Sequence, residues 1–263
     1  AGPIRVLVIN HTIAPTDSLA VRQALAAAVD REALLTVLGN TGQMLRSPIP
    51  PGFLGASTPF AAAGDPQTAV QLLTEAGYSG AAPLEVEISH PSDRYGDTAI
   101  APVAAISDQW EATGLIQVET RTTEWDTYIP QLLAGTFHEI ALLGWSVDYF
   151  DPNPFVEPFT AFGGLGTNIS DPDTGKPTEG LSHPELLDLV GAAASELDQT
   201  RRSELYLEIQ DLWASDVVTI PLWWEPAWVF YRDGVTSRGE SPFSEALNIG
   251  PTGFLDYSRL RSG

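Results

Sequence analysis

Between Leu84 and Gly144 the chain alternates strand and helix patterns, and this alternation restricts the possible folds more than any other feature. Leu84, Val86 and Ile88 alternate with Glu85 and Glu87, the period-two signature of a half-buried strand. Ile100, Val103, Ala104 and Trp110 then share one face of a helix, and Ile116, Val118 and Thr120 alternate as a second strand. Trp125 to Ala134 reads as another helix, and the apolar run Ile140 to Gly144 as a third, buried strand. Strands joined by helices of crossover length make a βαβαβ unit with a parallel core. Ser89-His90-Pro91, Thr122-Thr123 and Gly144-Trp145 are therefore expected to end on the same side of the sheet. Ligands of open α/β sheets collect beyond those carboxyl ends. Trp145 offers a flat apolar surface there, and Asp148 a counter-charge for a cation.

The flanking segments extend this pattern. Ile4 to Asn10 is a short strand, and Leu19 to Leu38 is helical, with Asp30 capping a second helix that Gly39 stops. Ser47 to Gly64 is an irregular Pro/Gly-rich crossing. Asp65-Pro66 opens a helix that ends before Gly77. Phe159 to Gly180 reads as loop, and Ser182-His183-Pro184-Glu185 as a capping box that heads a helix. Thr200 is expected to cap the next helix, whose face carries Leu205, Ile209, Leu212 and Trp213. Val217 to Leu222 and Ala227 to Tyr231 are strands on either side of Trp223-Trp224-Glu225-Pro226. With 263 residues, one or two domains are expected.

Charge and missing motifs narrow the chemistry. There are 34 acidic residues against 13 basic ones, and Lys176 is the only lysine, so a nucleic-acid partner is not expected. The acidity reads first as a solvated surface. The chain has no cysteine, which excludes disulfides, thiolate metal sites and cysteine nucleophiles. His11, His90, His138 and His183 are scattered without metal-ligand spacing, so no metal and no cofactor is expected. No Gly-x-Ser-x-Gly elbow or phosphate loop occurs, and Gly163-Gly164-Leu165-Gly166 lacks the context of a nucleotide fingerprint. Asp148 and Asp151 could pair as general acid and base, which leaves a carboxylate hydrolase open as a rival reading; the simpler role of Asp151-Pro152 is to cap a short helix near Asn153. No run of ~18 apolar residues is present to span a membrane. The opening Ala1-Gly2-Pro3-Ile4 carries no leader pattern, so the expectation is a removed leader or an excised piece.

The order of segments resembles the C-terminal half of the extracytoplasmic solute-binding proteins of ABC importers in the peptide/nickel family, family 5. The resemblance runs from about Val8 to about Val229. It is carried by Val21-Arg22-Gln23-Ala24-Leu25 with Ala28-Val29-Asp30-Arg31-Glu32, by Leu72-Leu73-Thr74-Glu75-Ala76-Gly77-Tyr78, and by Glu124-Trp125-Asp126-Thr127-Tyr128. Gly135-Thr136-Phe137, Gly144-Trp145…Asp148…Asp151-Pro152, Arg201-Arg202…Leu205-Tyr206 and Ile220-Pro221-Leu222 complete it. The resemblance implies an α/β lobe of the type II periplasmic-binding-protein kind, with a mixed, partly parallel sheet flanked by helices. Residues 12–216 would form the ligand-binding lobe, 1–11 a hinge strand toward a missing second lobe, and 217–263 the segment that returns to it.

The resemblance also implies a monomeric, non-enzymatic receptor that captures a small peptide or similar solute and delivers it to a membrane permease. Its location would be periplasmic or extracytoplasmic, with a lipid anchor on the precursor left open. Carried over by position, Asp148 anchors the peptide's α-amino group, Trp145 walls the pocket, Gly144 and Ser146 meet the peptide main chain, and Tyr149 lies beside them. Leu142 stands where some oligopeptide binders carry an arginine, so a carboxylate clamp is not expected there. Nickel binders resemble the chain around Ala14-Pro15-Thr16 and Leu19-Ala20-Val21-Arg22, but they lack the aspartate at 148, and Phe162 to Ser170 here has no histidine. A metal chelate is thus the alternative ligand, and a signalling or chaperone receptor the alternative role. One lobe alone is expected to bind poorly.

Overall fold

A computed structural model describes residues 2–137, 139–147, 149–161, 163–225, 235–237 and 260–262. In chain order the elements are β1 (Ile4–Ile9), α1 (Leu19–Ala27), α2 (Arg31–Val37), β2 (Gln43–Met44), α3 (Pro66–Glu75), β3 (Leu84–Pro91), α4 (Asp97–Glu111), β4 (Ile116–Thr123), α5 (Trp125–Leu133) and β5 (Ile140–Trp145). Two short 3-10 turns, Asn153–Phe155 and Glu157–Phe159, precede α6 (Glu185–Ser195), α7 (Gln199–Asp216), β6 (Thr219–Trp224), β7 (Val235–Ser237) and β8 (Leu260–Ser262).

A six-stranded sheet in the order β2-β6-β1-β5-β3-β4 organises the lobe, and β7 and β8 pair separately. The parallel core is as expected: β3 pairs parallel with β4 from Leu84↔Ile116 to Pro91↔Thr123, and with β5 at Ile88↔Ile140. Around it the sheet is antiparallel, because β1 runs opposite to both β5 and β6, and β2 opposite to β6. The apolar Ile4-Arg5-Val6-Leu7-Val8-Ile9 is buried at every position, as a strand covered on both faces must be. Strands β1 and β6 are thus interior members of the six-stranded sheet. Edge strand β4, by contrast, buries only Ile116.

Several local expectations are corrected. On α4 the buried line is Ala99, Val103, Ile106 and Trp110, whereas Ile100 is 55% exposed and Ala104 lies outside. The spacing 99, 103, 106, 110 follows the 3.6-residue period, and a shift of one residue turns a side chain about 100° around the axis. Strand β6 continues through Trp223 and Trp224, which the sequence pattern places in the connection after it. The second strand expected there, Ala227 to Tyr231, lies outside the described residues. Asp198, two residues before Thr200, caps α7 by accepting from Arg201 N at 2.8 Å. Asp30 and Asp65 do cap α2 and α3, accepting from Ala33 N and Thr68 N. Gly77 follows α3 at φ +97°, a conformation that L side chains rarely adopt.

The capping box at Ser182 does not form; Pro184 stands at the N-cap of α6 without a side-chain bond. Asp216, from the far end of α7, takes its place. Its carboxylate accepts from Ser182 N and His183 N, both at 2.9 Å, and from His183 Nδ1 at 2.8 Å. Arg22 Nη2 faces the same carboxylate at 3.8 Å. The Arg22 guanidinium also donates to the carbonyls of Thr16, Asp17, Gly180 and Asp216.

Beside this group His11 is fully buried, its ring nitrogens each 3.3 Å from the carbonyls of Gly180 and Val218. Burial first, and the charge of Arg22 second, push its pKa down to about 3. In the unfolded chain His11 takes up its proton near pH 6.5, so between that value and about 3 the unfolded state binds more protons. Stability should therefore fall as the pH drops through this window, by about 1 kcal/mol between pH 7 and 5.5. His90, also buried, shifts in the same direction. The diagnostic quantity is the difference in urea midpoint between wild type and His11→Asn, which should shrink on acidification. Parallel pH curves would contradict the assignment.

Candidate functional site

Strands β3, β4 and β5 run the same way, so their carboxyl ends share one edge of the sheet. At that edge Gly144 and Trp145 pair with Arg5 and Ile4 at the start of β1, and the same two residues face Trp223 and Trp224 at the end of β6. The beginning of β1 and the ends of β5 and β6 thus converge where the sequence places Trp145.

Gly144 is packed from the side by two groups the sequence did not single out. A Cβ on Gly144 would stand 2.6 Å from Arg5 Nη1 and 2.9 Å from the Tyr95 ring, closer than real Cβ contacts come, so a side chain there requires Arg5 and Tyr95 to shift. The Gly144 N–H donates to the Tyr95 hydroxyl at 3.0 Å. The Arg5 guanidinium lies 4.3 Å over the Tyr95 ring and pairs with Glu225 at 2.9 Å. Arg5 is only 5% exposed. Burial lowers its pKa, and Glu225 opposes that shift. Trp125 meets Tyr95 edge-on at 5.8 Å, and Arg94 covers the face of Trp125 at 4.8 Å. From the same helix as Trp125, Tyr128 donates its hydroxyl to Leu142 O at 2.7 Å and ties α5 to β5.

Beyond Trp145 the chain forms a loop braced at its base. The half-buried Trp145 indole donates to Pro154 O at 2.8 Å and meets Phe159 edge-on at 5.9 Å. Trp145 is therefore a clasp between the two ends of the loop. Ser146 is exposed, as are Tyr149 (54%) and Phe150 (50%). Phe150 rests on Phe53, with ring centroids 4.3 Å apart, and Phe53 in turn meets Phe155 at 4.8 Å. Asp148, on which the ligand reading turns, lies outside the described residues.

Asp151 has two assignments. Its Oδ1 accepts from Asn153 N at 2.8 Å, the capping role expected from Asp151-Pro152. Both of its oxygens also accept from Arg202, at 2.7 and 2.9 Å. A carboxylate engaged in this way is a poor partner for Asp148 in acid–base catalysis. Among the described residues no group of three His, Cys, Asp or Glu is placed to hold a metal ion. Of the histidines, His11 and His90 are buried and His183 is paired with Asp216; His138 lies outside the described residues. An open groove of about 420 Å³ lined by Glu85, Glu87, Glu119, Arg121 and Glu139 lies along β3 and β4. Arg121 neutralises Glu87 there at 2.7 Å.

Residues 1–166 match the family described as bacterial extracellular solute-binding proteins, family 5 Middle, and the chain belongs to that family. It is 29% identical over 224 residues to the periplasmic oligopeptide-binding protein OppA of Salmonella typhimurium, covering 82% of this chain and 38% of the relative. It is also 29% identical over 250 residues to di/tripeptide-binding protein 3 of Pseudomonas aeruginosa, covering 92% of this chain and 44% of the relative. The chain thus spans well under half the length of these relatives. The solved murein tripeptide binding protein MppA of Escherichia coli shares its fold, with a TM-score of 0.78 at 18% identity, covering 99% of this chain and 48% of that one. The lobe is accordingly of the type II periplasmic-binding-protein kind, with a mixed sheet. No helix among the described residues is long and apolar enough to cross a membrane.

Proposed function

We propose that this chain is one lobe of the substrate-binding component of an ABC importer, which captures a peptide-like solute between two lobes and delivers it to a membrane permease. The observation that carries this reading is the braced loop after Gly144-Trp145, which extends from the sheet edge where ligands of such sheets collect. The names of the relatives, oligopeptide and di/tripeptide binders, support a peptide as the solute. In this reading Asp148 accepts the peptide's α-ammonium group, because a carboxylate in a closing cleft favours a ligand that supplies a cation. Trp145 forms a wall, Ser146 and Gly144 meet the peptide main chain as an added strand would, and Tyr149 flanks them. The N–H of Gly144 is already given to Tyr95, so its share in that pairing requires the Tyr95 hydroxyl to yield or falls to its carbonyl.

Residues 1–11 and 217–263 would cross toward the second lobe as well as serving this sheet. Gly2 N donating to Glu225 O and Glu225 N to Pro3 O, both at 2.9 Å, hold the two segments side by side, which supports their crossing together. The receptor would be a monomer without catalysis, placed outside the cytoplasm and held there by a lipid anchor on its precursor or free. Titration of the two-lobe protein with Ala-Ala-Ala in a calorimeter tests the reading. Saturable, one-to-one heat is expected; no heat with this or longer peptides would overturn it.

A further inference from the structure

We propose that Arg202 is the positioning residue of the ligand loop, acting through Asp151 from a helix that forms no part of the sheet edge. The proposal rests on the reading that residues 144–151 hold the ligand. Arg202 sits near the start of α7, and its guanidinium is fixed before it reaches the loop. Nε donates to Ala193 O of α6 at 2.9 Å, Nη2 donates to the Tyr206 hydroxyl at 3.2 Å, and the plane lies 5.3 Å over the Tyr206 ring. The remaining edge of the fork grips both oxygens of Asp151, at 2.7 and 2.9 Å, with side chains only 13% and 21% exposed. A planar fork matched to a carboxylate in this way fixes direction as well as distance, which a lysine ammonium does not.

What the fork fixes is the loop. Ser146 and Val147 leave β5 after the last rung, Ile4↔Trp145, and the side chains of Ser146, Tyr149 and Phe150 are exposed. Two ties hold the base: Trp145 to Pro154 on one side, and Asp151 to Arg202 on the other. Asp151 passes its restraint on by accepting from Asn153 N, which starts the 3-10 turn carrying Phe155 into the core. Without Arg202, Asp151 loses its cation and both charge-assisted hydrogen bonds that hold it at the base of the loop. A loop that occupies its competent arrangement only part of the time binds more weakly in proportion to that fraction.

Binding of Ala-Ala-Ala to the two-lobe protein tests this in wild type, Arg202→Met, Arg202→Lys, Asp151→Asn and the Arg202→Met/Asp151→Asn double variant, each kept well below its unfolding temperature. Arg202→Met should raise Kd about tenfold. Arg202→Lys should recover part of that loss, and the double variant should bind no worse than Arg202→Met, since both act through one contact. Amide exchange over residues 146–150 should quicken in Arg202→Met while that of β1 and β5 stays unchanged. A purely structural Arg202 would lower the unfolding temperature and leave Kd and loop exchange as in wild type, and that result overturns the proposal. Additive losses in the double variant overturn it as well. A wild type that ignores the peptide overturns the peptide reading itself, and the role of Arg202 with it. If Arg202→Met does not fold, Arg202→Lys and Asp151→Asn decide the question on the same measurements.

Discussion

Asp148→Asn is expected to weaken binding of a free-amine tripeptide by the two-lobe protein by about 2–5 kcal/mol, a loss of about 30-fold or more. The asparagine amide keeps the size of the side chain and one acceptor oxygen, but it carries no charge to set against a desolvated ammonium. Most of the cost comes from leaving that ammonium buried and unpaired. The N-acetylated twin of the same peptide provides the second arm. It has no ammonium, so wild type should bind it much more weakly than the free amine, while Asp148→Asn should discriminate far less between the two. Calorimetry with both peptides on both proteins isolates the charge pair as the non-additive part of the cycle. Equal affinities of wild type and variant for the free-amine peptide would remove Asp148 from the site.

Arg22→Met is expected to have the largest effect on stability, a loss of about 3–5 kcal/mol read as a drop in the urea midpoint. Arg22 is fully buried. Its guanidinium serves the carbonyls of Thr16, Asp17, Gly180 and Asp216 and stands 3.8 Å from the Asp216 carboxylate. Methionine fills much of the space but leaves those acceptors without this donor and Asp216 without its buried arginine. Asp216 in turn orders Ser182 and His183 ahead of α6, so the damage reaches the start of that helix. Arg22→Lys should recover only part of the loss, because one ammonium cannot reach carbonyls spread around a planar fork. A midpoint within about 0.2 M of wild type for Arg22→Met, with an unchanged slope, would show that the pair contributes little.

The sequence displayed the elements built on local rules and concealed those built on long-range ones. The strand at Leu84, the Asp65-Pro66 cap and the apolar run at Ile140 were all legible, because each is written in neighbouring residues, although Leu84–Pro91 is buried at every position except Glu85 and is not half-buried as its alternation suggests. The central position of β1 was not, since it depends on pairing with Ile140–Trp145 and Thr219–Trp224, far along the chain. Arg5, Tyr95 and Glu225 were missed for the same reason: three distant segments bring them to one edge, and only an arginine inside an apolar strand hinted at it. Asp216 shows how a local motif can mislead, for a carboxylate from α7 takes the place of the expected capping box at Ser182.

The segments that carried the resemblance divide in a similar way. Arg22 and Arg31 are buried braces, the latter donating to Pro221 O at 2.7 Å and to Ala61 O at 2.9 Å. Gly144 and Trp145 lie at the candidate site. Arg201-Arg202 carries part of the resemblance, and only the fold brings Arg202 against Asp151.

Native mass spectrometry of the two-lobe protein, purified without a denaturing step, tests peptide capture most directly. A bound population of short peptides, released on unfolding and reduced in Asp148→Asn, is the expected result. A metal chelate, or another solute without a free amine, in the same position would contradict it.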